Sequence, residues 1–256
     1  MRKIIFLMNT YLKYVLQSLL LFFSGPNYCL ICGNNCGIIE ICKNCRYIYF
    51  SEAYIYRNKR CNSCGKELIG TKNNCMECRV QVVAPHSDSI FSIFPYRLWN
   101  KELMYLWKSL NLRTYSLFYS QILSSVLNHF NYRIIVPVPP RPGKIKEKGW
   151  DQIDEICSLL KYKYNFKVLN ILERKSMGQQ KKLNKNNRLI NIGSGYTNSS
   201  IKKINRELKR NKMVLPEQVC LIDDVCTTGA TIETCCKLIK NLGIKKVNVI
   251  TLFKVD

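Results

Sequence analysis

The fold is decided by residues 219 to 231, which read Val-Cys-Leu-Ile-Asp-Asp-Val-Cys-Thr-Thr-Gly-Ala-Thr. The four leading apolar residues predict a buried strand, and the carboxylates of Asp223 and Asp224 follow at its C-terminal end. Small and hydroxyl-bearing residues then open a helix, where backbone amides and the helix dipole favour a phosphate. Two adjacent carboxylates can accept hydrogen bonds from paired hydroxyls, as on a ribose ring, and ligands of open parallel sheets bind at this edge. The stretch predicts a sugar-phosphate site; the alternative is a capped strand, turn and helix with solvated acids.

The flanking sequence repeats the alternation of strand and helix. Strands are predicted at residues 134–138, 166–169 and 247–253, and helices at residues 151–163, with Asp151 as N-cap, and 231–242, ended by Gly243. Apolar residues at helical spacing in residues 98–110 and 117–127 predict two more core helices, while residues 174–212 are polar and basic. Strands that alternate with helices imply an α/β fold with a parallel sheet covered on both faces.

Cysteine spacing predicts metal sites near the N-terminus. Of 14 cysteines, eight form four C-x-x-C pairs: Cys29/Cys32, Cys42/Cys45, Cys61/Cys64 and Cys75/Cys78. A secreted disulfide framework is also rich in cysteine, but repeated C-x-x-C knuckles fit structural Zn²⁺ better, and they favour a reducing cytoplasm. Sequential pairing of the knuckles gives two sites of four thiolates; interleaved pairing and a single occupied site remain open. The surrounding segments are short and polar, so a metal is expected to hold this module together.

The charge balance is strongly basic. The chain of 256 residues has 40 Lys and Arg against 17 Asp and Glu, a net charge of +23. A phosphate-rich partner is one explanation, because a positive field attracts polyanions. The other is the amino-acid bias of an AT-rich genome. Residues 141–212 carry 19 basic and 6 acidic residues, or +13, interleaved with Trp150, Tyr162, Tyr164 and Phe166. Basic grooves with exposed aromatics suit single-stranded DNA, whereas buried aromatics beneath a solvated face would not.

The sequence divides into three parts. Residues 1–25 are mostly apolar, with polar residues recurring every four positions, and predict an amphipathic helix that packs on its own protein. A membrane-surface helix and a signal sequence are the alternatives. We expect no membrane span, because Lys13 would lie near the hydrocarbon centre at a cost of about 3 kcal/mol. Residues 26–80 form the cysteine-rich module, and residues 90–256 form the α/β domain.

Residues 219 to 231 resemble the phosphoribosyl-pyrophosphate (PRPP) signature of type I phosphoribosyltransferases. Three further patterns narrow the resemblance to ComF-type competence proteins: V-P-V-P at residues 136–139, K-G-W-D-Q at 148–152, and the set Gln180, Leu183, Arg188 and Asn191. That family has a zinc-ribbon module before a phosphoribosyltransferase-like domain, so the resemblance covers residues 15 to 255. It implies a type I phosphoribosyltransferase (PRTase) fold with a parallel sheet, preceded by the zinc-ribbon module. The chain departs from the family's R-G-F-N-Q, with Lys148 for Arg and Asp151 for Asn.

The resemblance also implies binding roles. Asp223 and Asp224 would hold the ribose hydroxyls of PRPP. The PRPP-binding set continues through Val225, Cys226, Thr227, Thr228, Gly229, Ala230 and Thr231, whose last five residues would hold the 5-phosphate. The pyrophosphate loop would comprise Pro139, Arg141 and Lys144. Mg²⁺ would bridge pyrophosphate and ribose oxygens, mostly through substrate and water.

The activity that the resemblance implies is displacement of pyrophosphate at the anomeric carbon of PRPP. Purine-salvage relatives place an acid where this chain has Thr227, so the resemblance implies no nucleobase acceptor. Whether the protein catalyses the reaction or only binds PRPP is left open. The family is tied to DNA uptake and natural transformation. The resemblance therefore implies single-stranded DNA and a competence helicase as partners. The alternative function is a non-catalytic single-stranded DNA-binding protein that uses the PRTase fold as a phosphate-binding scaffold.

Overall fold

The computed structural model describes residues 8, 12, 15, 16, 19, 27–37, 39–68, 73–175 and 195–255. The strands are β1 (Asn27–Tyr28), β2 (Asn35–Cys36), β3 (Ser89–Pro95), β4 (Ile134–Pro137), β5 (Lys167–Val168), β6 (Leu172–Arg174), β7 (Tyr196–Asn198), β8 (Gln218–Cys226) and β9 (Lys246–Lys254). The helices are α1 (Lys43–Phe50), α2 (Glu52–Ile55), α3 (Met76–Val80), α4 (Trp99–Lys108), α5 (Thr114–His129), α6 (Lys144–Lys148), α7 (Gln152–Tyr162), α8 (Ile201–Arg210) and α9 (Ala230–Asn241).

A five-stranded sheet in the order β3-β9-β8-β4-β5 forms the centre of the α/β part, and each pair of neighbours is parallel. Successive side chains of a strand point to opposite faces, and β8 shows the consequence. Cys220 and Ile222 belong to one buried cluster with α5 and α7, whereas Val219 and Leu221 belong to a second cluster with α9. The predicted α/β architecture with a parallel sheet covered on both faces is confirmed.

The predicted helices around the sheet are also present, with shifted ends. Asp151 caps α7 as predicted: its Oδ1 accepts hydrogen bonds from the backbone N of Ile153 and of Asp154, at 3.0 and 3.1 Å. The helix predicted from residue 98 begins at Trp99, because Leu98 lies in the left-handed region with φ 51°. The polar stretch 174–212 contains the unpredicted helix α8, which is amphipathic and buries Ile204.

The interpretation of the interleaved aromatics as exposed stacking platforms is wrong for two of them. Trp150 is 6% exposed and Phe166 4% exposed, and both belong to the core cluster on the α5 and α7 side of the sheet. The indole Nε1 of Trp150 donates to Asn111 Oδ1 at 3.0 Å. The alternating pattern of aromatic and basic residues there reflects core positions between solvated ones.

The cysteine-rich module packs directly against the sheet. Ile41, Phe50 and Ile55 are buried in the same cluster as α5, so the module is held by packing on the α/β part in addition to the metal that the sequence predicts. Arg60 is 8% exposed; its guanidinium donates to the carbonyls of Ser92 and Ile93 on β3 at 3.0 and 3.2 Å, and pairs with Glu67 at 3.1 Å. Because the buried guanidinium of Arg60 donates to several carbonyls in a fixed geometry, it forms a specific contact between the module and the sheet.

Two sequence predictions fall largely outside the described residues. Of the amphipathic helix predicted over residues 1–25, the structure describes Met8, Leu12, Val15, Leu16 and Leu19, which are helical and exposed. The ComF-like positions Gln180, Leu183, Arg188 and Asn191 lie outside the described residues. Within the described part of the chain, no helix has both the length and the apolar character needed to cross a membrane.

Candidate functional site

A 400 Å³ cleft lies at the carboxyl edge of the sheet, where β4 and β8 end. Parallel strands present their C-terminal ends at the same edge, so the loops that follow β4 and β8 meet there. The cleft is lined by Lys108, Val138, Pro139, Pro140, Arg141, Lys144, Asp151, Ile153, Arg174, Tyr196, Asp223, Asp224, Val225 and Thr231. It brings together the two acids, both ends of the loop after β4 and the last residue of the proposed phosphate loop.

The acidic pair sits near the end of β8. The backbone N of Asp224 donates to Asp223 Oδ1 at 2.8 Å, and Asp224 Oδ2 pairs with Lys108 Nζ at 2.6 Å. Burial of its carboxyl, reinforced by the neighbouring charge of Asp224, raises the pKa of Asp223 to about 8. The ammonium of Lys108 is the cation paired directly with the acids.

The loop after β8, residues 227–231, which we call the phosphate loop after the role that the sequence predicts for it, turns sharply at Gly229, which has φ +79° and is the N-cap of α9. Thr227 and Thr228 are exposed, and the backbone N of Ala230 donates to Thr228 Oγ1 at 3.5 Å. Thr227, Thr228, Gly229 and Ala230 lie beyond the cleft lining. Cys226, also in the predicted set, is 1% exposed and packs into the core beneath the loop. The loop offers hydroxyl and backbone donors at a helix N-terminus, the arrangement that binds phosphate.

The connection from α3 to β3, residues 81–88, lies across this loop, and we call it the strap. A Cβ added at Gly229 would lie 2.0 Å from Val83 Cγ1, so the side chain of Val83 rests on the glycine. The backbone N of His86 donates to Glu233 Oε2 on α9 at 2.9 Å, and the imidazole contacts the other carboxylate oxygen. Asp88 Oδ2 accepts from Lys240 Nζ at 3.1 Å. The strap is therefore fixed to α9 at three points.

The loop after β4 carries its own ion pairs. Arg141 pairs with Glu147 of α6, and Lys144 pairs with Asp151 and also contacts Gln152 Oε1. Asp151, the residue that departs from the family's Asn, is 5% exposed and directs one oxygen to the α7 N-terminus and the other to Lys144. Its charge is satisfied within the protein, and Lys144 is committed to it.

Three cleft residues with charged or hydroxyl-bearing side chains were missed by the sequence analysis: Lys108, Arg174 and Tyr196. Lys108 was counted within a core helix. Arg174 and Tyr196 belong to the β6–β7 hairpin, and the guanidinium lies 5.1 Å from the ring centroid. This is the geometry of a cation–π contact, which holds the arginine side chain in place. No local pattern marks these residues, because each reaches the cleft from a distant part of the chain.

The eight predicted cysteine ligands form two clusters in the structure. Cys29, Cys32, Cys42 and Cys45 form the first; Cys61, Cys64, Cys75 and Cys78 form the second. Within each cluster the four sulfur atoms all lie within 4.8 Å of one another. This is the sequential grouping of knuckles. Four thiolates converging on one point fit structural zinc, and they leave no open coordination position.

Comparison with known proteins gives two similar relatives. The chain is 24% identical to Competence protein ComFC of Streptococcus pneumoniae over 196 residues, which is 77% of this chain and 81% of that protein. It is 25% identical to Competence protein F of Haemophilus influenzae over 235 residues, 86% of this chain and 94% of that protein. No family model matches the chain. The similarity to competence proteins thus extends over most of the chain.

Proposed function

We propose that the chain is a ComF-type competence protein that binds PRPP and acts in DNA uptake during natural transformation. The role in competence is supported by the two similar proteins, both named as competence proteins. PRPP binding is supported chiefly by one observation: the acidic pair of Asp223 and Asp224 shares a cleft with Thr231 and with the loop after β4. In this proposal residues 90–256 form the type I PRTase domain.

The proposed ligand divides into three parts, and the cleft together with the adjoining phosphate loop offers a suitable partner for each. Asp223 and Asp224 accept hydrogen bonds from the ribose hydroxyls, because carboxylates are the acceptors that suit paired hydroxyl donors. The phosphate loop holds the 5-phosphate through backbone and hydroxyl donors. The loop after β4 receives the pyrophosphate, with Arg141 as the more available positive charge, because its ion pair with Glu147 is exposed whereas Lys144 is paired with the buried Asp151.

The two cysteine clusters would hold one structural Zn²⁺ each. In this proposal residues 26–80 form a double zinc ribbon. The metal would fix the knuckle turns, one of which approaches β3 closely: an added Cβ at Gly65 would lie 2.8 Å from the backbone N of Ser92. Thiolate ligation supplies folding free energy to a short segment that has few elements of its own.

The proposal is tested by calorimetry with PRPP and Mg²⁺. The double variant Asp223→Asn and Asp224→Asn should lose binding while keeping a cooperative unfolding transition. Each lost hydrogen bond to a charged acceptor costs about 1.5 to 3 kcal/mol, so the affinity should fall by 100-fold or more (roughly two such bonds). Glu217→Gln is the matched control, because Glu217 is exposed and pairs with Lys245 away from the cleft. Unchanged affinity in the double variant would contradict the assignment.

A further inference from the structure

Lys108 is the last residue of α4, and its ammonium reaches across to the acidic pair at the end of β8. Lys108 Nζ lies 2.6 Å from Asp224 Oδ2, with the lysine side chain 33% exposed and that of Asp224 18% exposed. An ion pair this short and partly withdrawn from water is stronger than a fully exposed pair, because solvent screens it less. Lys108 is therefore a fixed part of the cleft.

The acidic pair places two carboxyl groups side by side. Asp223 and Asp224 are sequence neighbours, and the hydrogen bond from the backbone N of Asp224 holds the Asp223 carboxylate beside it. Two carboxylates this close repel each other unless a cation or a proton offsets one of them. In nucleotide and sugar-phosphate sites a divalent cation commonly fills that role.

The residues present do not fit a divalent cation held by this pair. Asp224 Oδ2 is already occupied by the ammonium of Lys108. Mg²⁺ also prefers six oxygen ligands in near-octahedral geometry, which an ammonium beside the carboxylate obstructs.

We propose that Lys108 is the resident counter-ion of the acidic pair, so that the ribose 5-phosphate half of the ligand is recognised without a divalent cation. The inference rests on the proposed PRPP binding and deepens it. Lys108 acts as a positioning residue: its ammonium holds the Asp224 carboxylate in the orientation that suits the ribose hydroxyls. A divalent cation then enters the cleft only with the pyrophosphate, whose oxygens are its ligands.

The test compares ribose 5-phosphate with PRPP, each with and without Mg²⁺, by calorimetry in buffer freed of divalent cations on a chelating resin. For the wild-type protein, the affinity for ribose 5-phosphate should change less than about twofold on adding Mg²⁺. Lys108→Met should weaken ribose 5-phosphate binding by about tenfold or more without Mg²⁺, the loss expected for one charged contact. Added Mg²⁺ should recover part of that loss. Lys108→Arg should keep the metal-independent binding, because it keeps the charge.

Lys101→Met is the matched control, since Lys101 is an exposed lysine of the same helix, two turns earlier. It should behave as wild type. A wild-type protein that binds ribose 5-phosphate only with Mg²⁺, or not at all although it binds PRPP, overturns the inference, as does unchanged binding in Lys108→Met. Failure of the wild-type protein to bind PRPP under any condition would instead refute the proposed function.

Discussion

Replacing Gly229 with alanine should both destabilise the protein and weaken ligand binding. Gly229 is buried, has φ +79° and lies directly beneath the strap. The new Cβ would lie 2.0 Å from Val83 Cγ1 and 3.5 Å from the carbonyl oxygen of Val83. The strap cannot simply lift away, because His86 and Asp88 fix it to α9. The substitution therefore forces the Val83 side chain, the strap or the phosphate loop to move.

Two physical terms set the size of the effect. A residue with a Cβ in the left-handed region costs about 1 to 2 kcal/mol relative to glycine. Inserting a methyl group into a packed contact costs about 1 to 3 kcal/mol more. We therefore expect Gly229→Ala to lower the free energy of unfolding by about 2 to 5 kcal/mol. The affinity for PRPP should fall as well, because the displaced loop is the proposed phosphate site.

Two further variants separate these terms. Gly149→Ala measures the backbone term alone, since Gly149 has φ +75° and an added Cβ there meets no atom within 4 Å. Val83→Ala combined with Gly229→Ala removes the clash and should return the stability loss to near that of Gly149→Ala. Urea unfolding gives the free energies and calorimetry gives the affinities. If the Val83→Ala and Gly229→Ala effects are additive, so that the double variant shows no rescue, the strap does not rest on the loop and the reasoning fails.

Two other predictions concern the metal and the acidic pair. Elemental analysis should find two zinc ions per chain, one for each cysteine cluster. Removing the zinc with a chelator should lower the unfolding temperature of the whole protein, because the module shares a core with α5. Disulfides in place of zinc would contradict this prediction. The pKa of Asp223 is raised to about 8 from an ordinary value near 3.8, so the folded state keeps a proton that the unfolded state releases, and stability should fall as pH rises from 4 to 8. Asp223→Asn should remove this component and raise the unfolding temperature of the ligand-free protein at pH 8, and an identical pH profile for the two proteins would refute it.

The parts of the fold that the sequence predicted correctly depend on short-range patterns. The sequence predicts β8 and the loop after it because the strand, the loop and the helix N-terminus are contiguous in the chain. The signal is a run of apolar residues followed by two acids and a turn of small residues. The sequence predicts Asp151 as the N-cap of α7 for the same reason. The sequential cysteine grouping follows from knuckles separated by few residues, which close locally at low entropic cost.

The remainder of the site depends on long-range contacts that no local pattern encodes. Lys108 pairs with a residue more than a hundred positions later in the chain, and its own surroundings are those of an amphipathic core helix. Arg174 and Tyr196 meet only because β6 and β7 pair across residues 175–195. The partner of Asp151, which the sequence shows only as a departure from the family's Asn, is Lys144. The sequence shows which residues are charged, but which charged side chains form ion pairs depends on the tertiary fold.

The cysteine-rich module also covers an edge of the sheet that could otherwise pair with another chain. β3 is an edge strand, and an unpaired edge invites pairing with another chain. Here the backbone N of Ile90 donates to the carbonyl of Asn62 at 3.0 Å, and the carbonyl of Ser92 accepts from Arg60 Nε at 3.0 Å. The module thus covers the outward-facing groups of β3, and its continuation, the strap, rests on Gly229. Disrupting the second cysteine cluster would expose the edge and release the phosphate loop together, so module and sheet should behave as one cooperative unit.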